Sequence, residues 1–405
     1  MRMVVLAAVL SLAAIHSGAQ AHLREVMQPL PAGAVEVVSE RELPGVRPEM
    51  LDWWWNNLGA NDNFQHWYPD AHLSFQWIEP PPAGQGLAYA EGAVQQRTQR
   101  IAGQVVVSRL RYLPVPSVHP CEIADQLLVA ELSFPDHPEL GTGTVRYQYA
   151  GNAANDGLLL RASYQVPETI DDAYPGYVAG FRDYLNQATD QLATVLPGLF
   201  QAQYLEDELL QRGSYEVVGN GWLTRSIIVD QEIKGITPEM LDWWWDNIDD
   251  TSRYKRWHPT AHRSFQWQVP PSQPDQLAYS VGAVQWVVED IGPYRSSLLI
   301  TWLDPAEAAD QVEYEHWIYV KTDLKVLAGI LPQRLIHEYQ WNDADDGIVM
   351  RSSFTVPRFF DVIMPGFSDR LAEHALQEMQ FLPNFLPELF EREYVRKDSC
   401  AQCTP

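Results

Sequence analysis

Cysteine is scarce in this chain: Cys121, Cys400 and Cys403 are the only three among 405 residues. So few cysteines do not form the framework of a small disulfide-rich scaffold. Cys400 and Cys403 make a C-x-x-C near the C-terminus, without the flanking βα pattern of a thioredoxin-like motif. This context favours a local disulfide or a frayed tail over a redox or zinc site.

Positive charge is also low. Lys and Arg together number 28, against 53 Asp and Glu, and the formal net charge is −25. Such an excess of negative charge disfavours a nucleic-acid backbone or an anionic lipid surface as a partner. Neutral or weakly acidic small molecules remain compatible with it.

Long apolar runs are absent from the chain after its N-terminal segment. No run there approaches the roughly 18 residues of a transmembrane helix. The first residues have the pattern of a secretory signal: Arg2, an apolar stretch over residues 4–15, and the small residues Ala19 and Ala21. We predict a signal peptide over residues 1–21 and a mature chain without a membrane span that begins at His22. The predicted location is periplasmic or extracellular.

The chain does contain an internal repeat. Residues 240–267, MLDWWWDNIDDTSRYKRWHPTAHRSFQW, match residues 50–77, MLDWWWNNLGANDNFQHWYPDAHLSFQW, at an offset of 190 residues. Later segments keep this offset until the first copy carries four extra residues near its end. The pattern predicts a tandem duplication. The predicted segments after the signal are a first repeat 22–204, a linker 205–221, a second repeat 222–395 and a tail 396–405.

Each copy has the same predicted order of elements. In the second copy a strand over residues 226–234 precedes a helix that Thr237 can cap and Pro238 can begin. β-rich runs follow between residues 264 and 356, and then a long helix from about Gly366. This order predicts an α+β fold of two tandem helix-grip (Bet v 1/START-like) domains. In each, a curved antiparallel sheet would wrap the last helix and enclose a cavity suited to apolar or aromatic ligands.

The three consecutive tryptophans of each copy belong to the first helix of the repeat. Trp243, Trp244 and Trp245 advance by about 100° each around a helix, so they cannot share one narrow face. We therefore expect the sheet and the other copy to cover this helix from different sides. The halves would form an internal pseudo-dimer with the first half as scaffold, and further homo-oligomers remain open.

The two copies differ at residues that can bind metals. The second copy has His258 where the first has Tyr68, and Glu289 where the first has Gln99. It also has His374 and Glu378, four residues apart and therefore on one face of the long helix. Depending on where the four extra residues lie, this pair faces Ala188 and Leu192, or Tyr184 and Ala188.

Two imidazoles and two carboxylates suit a borderline divalent ion. We predict a metal site formed by His258, Glu289, His374 and Glu378, with Zn²⁺ favoured and Fe²⁺, Mn²⁺ or Co²⁺ as alternatives. Each histidine taken alone would more often be a packed or surface residue, and the prediction depends on the four differences occurring together.

His262 needs a separate interpretation because its equivalent, His72, is present in both copies. We interpret His262 as structural, or as a group that orients a ligand, and include it with Glu289 and Glu378 among the candidate catalytic residues. His337 occurs only in the second copy and could line the cavity, although a lone histidine there is more typical of a strand surface.

The second copy resembles the family of 2,4-diacetylphloroglucinol hydrolases and phloretin hydrolases. The resemblance lies in MLDWWW, the later YKRWHPTAH, Glu289 and the pair His374 and Glu378. It implies a helix-grip domain that binds zinc through two His and two Glu, matching His258 and the three residues just named. It also implies hydrolysis of the carbon-carbon bond between an aromatic ring and an acyl group.

Three hypotheses on function follow. The first is an exported metal-dependent hydrolase that cleaves an acylated polyhydroxy-aromatic compound with a metal-activated water. Four protein ligands would saturate tetrahedral zinc, so the ion becomes five-coordinate, or Glu289 or Glu378 dissociates and serves as general base. The second is a non-catalytic carrier of hydrophobic or aromatic ligands. The third is a metalloenzyme of the same fold with ester, lactone or other chemistry.

Overall fold

A computed structural model describes residues 33–81, 91–114, 126–152, 156–273, 280–324 and 333–396. The predicted signal peptide and all three cysteines lie outside these ranges. Within them, no helix is both long and apolar enough to span a membrane.

The first half is a seven-stranded antiparallel sheet with helices on one side. Its elements are β1 Ala34–Pro44, α1 Pro48–Asn57, α2 Asn63–Trp67, β2 His72–Glu79, β3 Val94–Ile101, β4 Gln104–Tyr112, β5 Gln126–Ser133, β6 Thr142–Gly151, β7 Gly157–Pro167, α3 Ile170–Ala173 and α4 Tyr177–Leu199. The strand order is β1-β7-β6-β5-β4-β3-β2. The chain thus forms one edge with β1, crosses through α1 and α2 to the other edge, and returns as a meander.

The second half repeats this topology and adds one strand at the edge. Its elements are β8 Gly213–Asn220, β9 Thr224–Lys234, α5 Pro238–Asn247, α6 Thr251–Trp257, β10 His262–Val269, β11 Val284–Ile291, β12 Tyr294–Trp302, β13 His316–Leu324, β14 Gln333–Trp341, β15 Gly347–Pro357, α7 Phe359–Ile363, α8 Phe367–Phe381 and α9 Leu386–Phe390. The order is β10-β11-β12-β13-β14-β15-β9-β8. Two curved sheets, each packed against a long C-terminal helix, confirm the predicted α+β helix-grip class.

Local sequence explains where the helices begin. Pro238 is the first residue of α5, and the Thr237 hydroxyl accepts a hydrogen bond from the Met240 amide at 3.2 Å. The long helices α4 and α8 each follow a glycine with positive φ, 78° at Gly176 and 76° at Gly366. A residue with a side chain would be strained in this conformation.

The tryptophan helix of the second half is covered on several sides, as its spacing predicts. Trp245 stacks on His337 of the sheet with ring centroids 5.4 Å apart. Trp243 and Trp244 instead pack on Phe390 and Phe385, which follow α8. The chain after α8 thus folds back over these two rings, and the expectation that the other copy also covers this helix stays a prediction.

The two halves contact each other through the segments that follow their long helices. Phe200, directly after α4, lies 6.1 Å from the ring of Phe381, and Tyr204 donates a hydrogen bond to Asn384 at 3.1 Å. Arg256 of α6 pairs with Glu49 of α1 at 3.1 Å. One cluster of buried apolar residues extends across both halves, so the halves share a core.

The predicted linker is itself folded. Residues Phe200–Glu208 continue α4 as a π-helix, Leu209–Arg212 form a 3-10 turn, and β8 is hydrogen-bonded to β9. The carbonyl of Leu205 accepts a hydrogen bond from the Gln377 side chain at 3.2 Å. The segment is therefore part of the wall of the second half, while the domain boundaries remain a prediction.

Candidate metal centre

Four polar side chains meet between the second sheet and α8. His262 begins β10 and lies directly across from Glu289 of β11 in the antiparallel register. His374 and Glu378 lie on consecutive turns of α8 and face these strands. All four are buried, with exposed fractions of 1% to 7%.

Three of the four groups fit a common ion, because the ligand atoms of His262, Glu289 and His374 all lie within 4.8 Å of one another. Nε2 of His262 lies 3.4 Å from Oε2 of Glu378 and 3.8 Å from Oε2 of Glu289. Nε2 of His374 lies 3.7 Å and 4.0 Å from the same two oxygens. Ligand atoms about 2.0–2.2 Å from a tetrahedral ion are separated by roughly 3.3–3.6 Å. Neither Nε2 has a hydrogen-bond partner among the described residues, as expected of atoms reserved for a ligand.

The ring of His262 is held in the form that binds metals. Its Nδ1 lies 2.7 Å from the backbone carbonyl of Tyr254, which can only accept, so Nδ1 carries the proton and Nε2 offers its lone pair. The Tyr254 ring stacks on the imidazole at 3.8 Å between centroids. Orienting contacts of this kind fix the tautomer and direction of a ligand histidine.

Tyr254 is a site residue that the sequence analysis missed. Its hydroxyl donates a hydrogen bond to Oε2 of Glu289, so the same side chain supports two of the four groups. The difference between the copies could have identified this residue, because the first copy has Phe64 at the position of Tyr254. The hydroxyl is lost in the half that also lacks the carboxylate.

His258, which is also a predicted ligand, lies beside this cluster: its ring stacks on that of His374 with centroids 4.8 Å apart and lies 5.5 Å from that of His262. It directly follows α6, and its Nδ1 accepts a hydrogen bond from the Ala261 amide at 3.3 Å. Nε2 then carries the proton and points to Oε1 of Gln377 at 3.2 Å. In this tautomer His258 cannot offer Nε2 to an ion. The ligand atoms that lie within 4.8 Å of one another are those of His262, Glu289 and His374, and a role for His258 as ligand stays a prediction.

Burial sets the charge state of the cluster. It lowers the pKa of His262 and of His374 well below the ordinary value, and the neighbouring histidines add to the effect, so both imidazoles are neutral and competent to bind. Burial raises the pKa of Glu289 to about 7 and, together with Glu289, raises the pKa of Glu378 well above the ordinary value. A divalent cation would reverse this penalty for two adjacent carboxylates, and the donor set fits one.

The corresponding position of the first half is closed by side chains. The Tyr184 hydroxyl donates to Nε2 of His72 at 2.7 Å and accepts from the amide of Gln99. His72 and Gln99 are cross-strand partners, as are His262 and Glu289. Tyr184 is therefore the structural equivalent of His374. The offset of 190 therefore holds at least to Tyr184, and the extra residues come later in the first half.

An apolar cavity extends from the candidate metal centre into the second half. Its volume is about 100 Å³, against about 20 Å³ for the corresponding cavity of the first half. Aromatic and aliphatic side chains dominate its wall, and Glu289, His374 and Glu378 lie at one end. His337 also lines it, so this histidine faces the cavity rather than the sheet surface.

His337 makes stability depend on pH. Burial lowers its pKa from 6.5 to about 3, while the unfolded chain takes up the proton near pH 6.5. Its contribution to stability is therefore lost as pH falls from about 6.5 towards 3. We expect His337→Gln to reduce the slope of unfolding free energy against pH by about 1.4 kcal/mol per unit near pH 5. Urea titrations at pH 6 and pH 5 measure this, with the exposed His66→Gln as control; equal slopes for wild type and His337→Gln would contradict it.

A separate polar cleft reaches the site from the other side. Its volume is about 510 Å³, and its wall includes His258, His374 and Gln377 together with Gln201 and Glu206 from the connection between halves. His374 lines both the cleft and the apolar cavity. The candidate centre thus lies between an apolar chamber and a polar one.

Comparisons with solved structures return proteins of low similarity. They include a ginseng major latex-like protein from Panax ginseng, 10% identical, covering 41% of this chain and 97% of that one at a TM-score of 0.29. Another is a truncated norcoclaurine synthase from Thalictrum flavum, 13% identical, covering 42% and 98% at a TM-score of 0.28. The di-domain ARO/CYC protein BexL covers 92% of this chain and 99% of its own length at 12% identity and a TM-score of 0.25.

Sequence comparisons are more specific. A phloretin hydrolase from Eubacterium ramulus is 26% identical over 183 residues, which are 39% of this chain and 65% of the relative. The alignment therefore spans slightly less than two thirds of that protein. The family model described as the DAPG hydrolase PhiG domain matches residues 21–108 and 199–391, well over half of the chain. The chain belongs to the DAPG hydrolase family.

Proposed function

We propose that this chain is an exported zinc-dependent hydrolase that cleaves the carbon-carbon bond between a polyhydroxylated aromatic ring and an acyl carbonyl. The observation that carries the proposal is the convergence of His262, Glu289, His374 and Glu378 at one end of an apolar cavity. Family membership and the similarity to a phloretin hydrolase support the substrate class. The N-terminal signal pattern supports export.

The two chambers suit the two parts of an aryl ketone. The apolar wall, with Trp245, Ile300 and Ile318, can accept the ring, and the polar side chains Gln285 and His337 can bind ring hydroxyls. The polar cleft on the other side of His374 gives water a route to the carbonyl and the carboxylic acid a route out. An ion at the boundary would therefore lie near the bond that breaks.

A divalent ion bound here would polarise the ketone carbonyl and lower the pKa of an attacking water. The protein residues have separate tasks. Tyr254 and the strand pairing hold Glu289 in place, and the stacked tyrosine fixes His262. Glu378 lies within ion-pair distance of both imidazoles but outside the group of three ligand atoms that lie within 4.8 Å of one another, which suits it for proton transfer as general base.

The proposed reaction consumes one water. The water oxygen bonds to the carbonyl carbon while Glu378 takes a proton, and the ring-carbonyl bond then breaks with its electron pair on the ring carbon. Ring hydroxyls ortho and para to that carbon make it basic enough to receive the proton from Glu378. The products are the arene and a carboxylic acid, and ketones without ring hydroxyls should react poorly.

Metal analysis combined with product identification tests the proposal. We expect exported protein beginning at His22 to contain about one zinc per chain. With phloretin as probe it should release a carboxylic acid and a trihydroxybenzene, detected by mass, and a chelator should stop this until zinc is restored. Acetophenone, which has no ring hydroxyls, is the control substrate. Folded, metal-free protein that binds the probe without cleaving it would favour the carrier hypothesis.

A further inference from the structure

The first half contains a buried arginine where its twin has an apolar residue. Arg97 of β3 points inward two positions before Gln99, and its exposed fraction is 2%. The equivalent residue of the second half is Val287. The half without the metal ligands therefore contains a fixed positive charge in the same part of its cavity.

Tyrosines surround this guanidinium. Nη1 of Arg97 donates to the Tyr147 hydroxyl at 3.3 Å, and the Tyr147 and Tyr164 hydroxyls share a hydrogen bond. With Tyr184 they line a cavity of about 20 Å³. The second half has His337, Phe354 and His374 at these three positions. The first half thus has a cation and phenol hydroxyls at positions where the second half has Val287, imidazoles and a phenyl ring.

Part of the Arg97 guanidinium has no hydrogen-bond acceptor. Nε and Nη2 of Arg97 have no hydrogen-bond partner within the described ranges of the chain, and no carboxylate there forms an ion pair with it. Arginine does not deprotonate in proteins, so the charge cannot be relieved by losing a proton. A buried charge without a counter-charge is strongly destabilising. The N–H groups on these two nitrogens point to a ligand that accepts hydrogen bonds and carries negative charge.

We propose that the cavity of the first half is a binding site for one small inorganic anion, chloride, held by Arg97 and by the one hydroxyl of the Tyr147–Tyr164 pair whose proton is not used between them. The available volume fits a single water-sized ion and excludes larger oxyanions and organic acids. Halide ions accept hydrogen bonds from guanidinium and phenol donors alike. The anion would neutralise Arg97 and thereby stabilise the half that serves as scaffold.

Thermal unfolding of the full chain tests this at constant ionic strength, with sodium gluconate replaced stepwise by sodium chloride. An ion that binds only the folded state raises the midpoint, by roughly 3 °C when chloride reaches about a hundred times its Kd. Arg97→Val, which installs the residue of the second half, should make the midpoint independent of chloride. Arg100→Val, which removes an exposed charge from the same strand, should leave the chloride dependence intact.

Two further measurements distinguish bound chloride from bound water and from a tyrosinate as counter-charge. A crystal soaked in sodium bromide should show an anomalous peak within hydrogen-bonding distance of the Arg97 guanidinium, and density for water alone would overturn the proposal. A wild-type midpoint that ignores chloride, or a dependence that survives in Arg97→Val, would do the same. Phenolate absorbance at neutral pH that disappears in Tyr164→Phe would show instead that a tyrosinate provides the counter-charge.

Discussion

Replacing His262 by glutamine is expected to remove the metal from the protein and to abolish turnover. The imidazole Nε2 lies 3.4–3.8 Å from both carboxylates and has no other partner in the described structure. A glutamine side chain occupies similar space but offers only a weakly binding amide oxygen. We expect metal content to fall from about one ion per chain to below about 0.1, and turnover to fall at least about a thousandfold. Elemental analysis and an aryl-ketone assay measure the two effects.

His258→Tyr is the matched comparison, because it installs the residue of the first half at the position first favoured by the sequence. His258 contacts Gln377 and the Ala261 amide, so we expect this variant to retain its metal. Loss of metal in His258→Tyr with retention in His262→Gln would restore the ligand set inferred from sequence. Loss in both would mean that each imidazole contributes to the site.

The fold was accessible from sequence because each element leaves a local signal. The Thr237 cap, the proline after it and the glycine before α8 mark helix starts, and β-rich runs mark the strands. The repeat then shows the same order of elements twice in one chain. What sequence could not give is how the segments after the long helices fold, since that depends on contacts such as those between Phe200 and Phe381, far apart in the chain.

The sequence predicts only part of the cluster that the structure forms, and His72 and His262 show why. Because the histidine occurs in both copies, the repeat predicts for His262 a structural role or the orientation of a ligand, and not a place among the four predicted ligands. In the first half the His72 ring has a structural role, because it accepts a hydrogen bond from Tyr184. A histidine at this position therefore does not require an ion. A comparison of the copies predicts Glu289, His374 and Glu378 as ligands, but it cannot predict a ligand whose equivalent has a different role in the other copy.

His374→Ala is expected to lose both metal and activity, whereas Tyr184→Phe, at the equivalent position of the first half, should retain both. His374 contributes one of two unpartnered Nε2 atoms facing the carboxylates, and alanine leaves that ligand position without a donor. Tyr184 instead connects His72 and Gln99, so its loss leaves two buried polar groups less well satisfied. We expect Tyr184→Phe to lower the free energy of unfolding by about 1–3 kcal/mol.

Three readouts on the two variants distinguish a catalytic half from a structural one: metal content, turnover and urea unfolding. A site confined to the second half predicts that metal and activity change only in His374→Ala, while Tyr184→Phe affects stability alone. Equal loss of turnover in both variants would contradict the division of labour between the halves. In that case the tyrosine network of the first half would have to act on the reaction through the shared core, and activity would track stability across both variants.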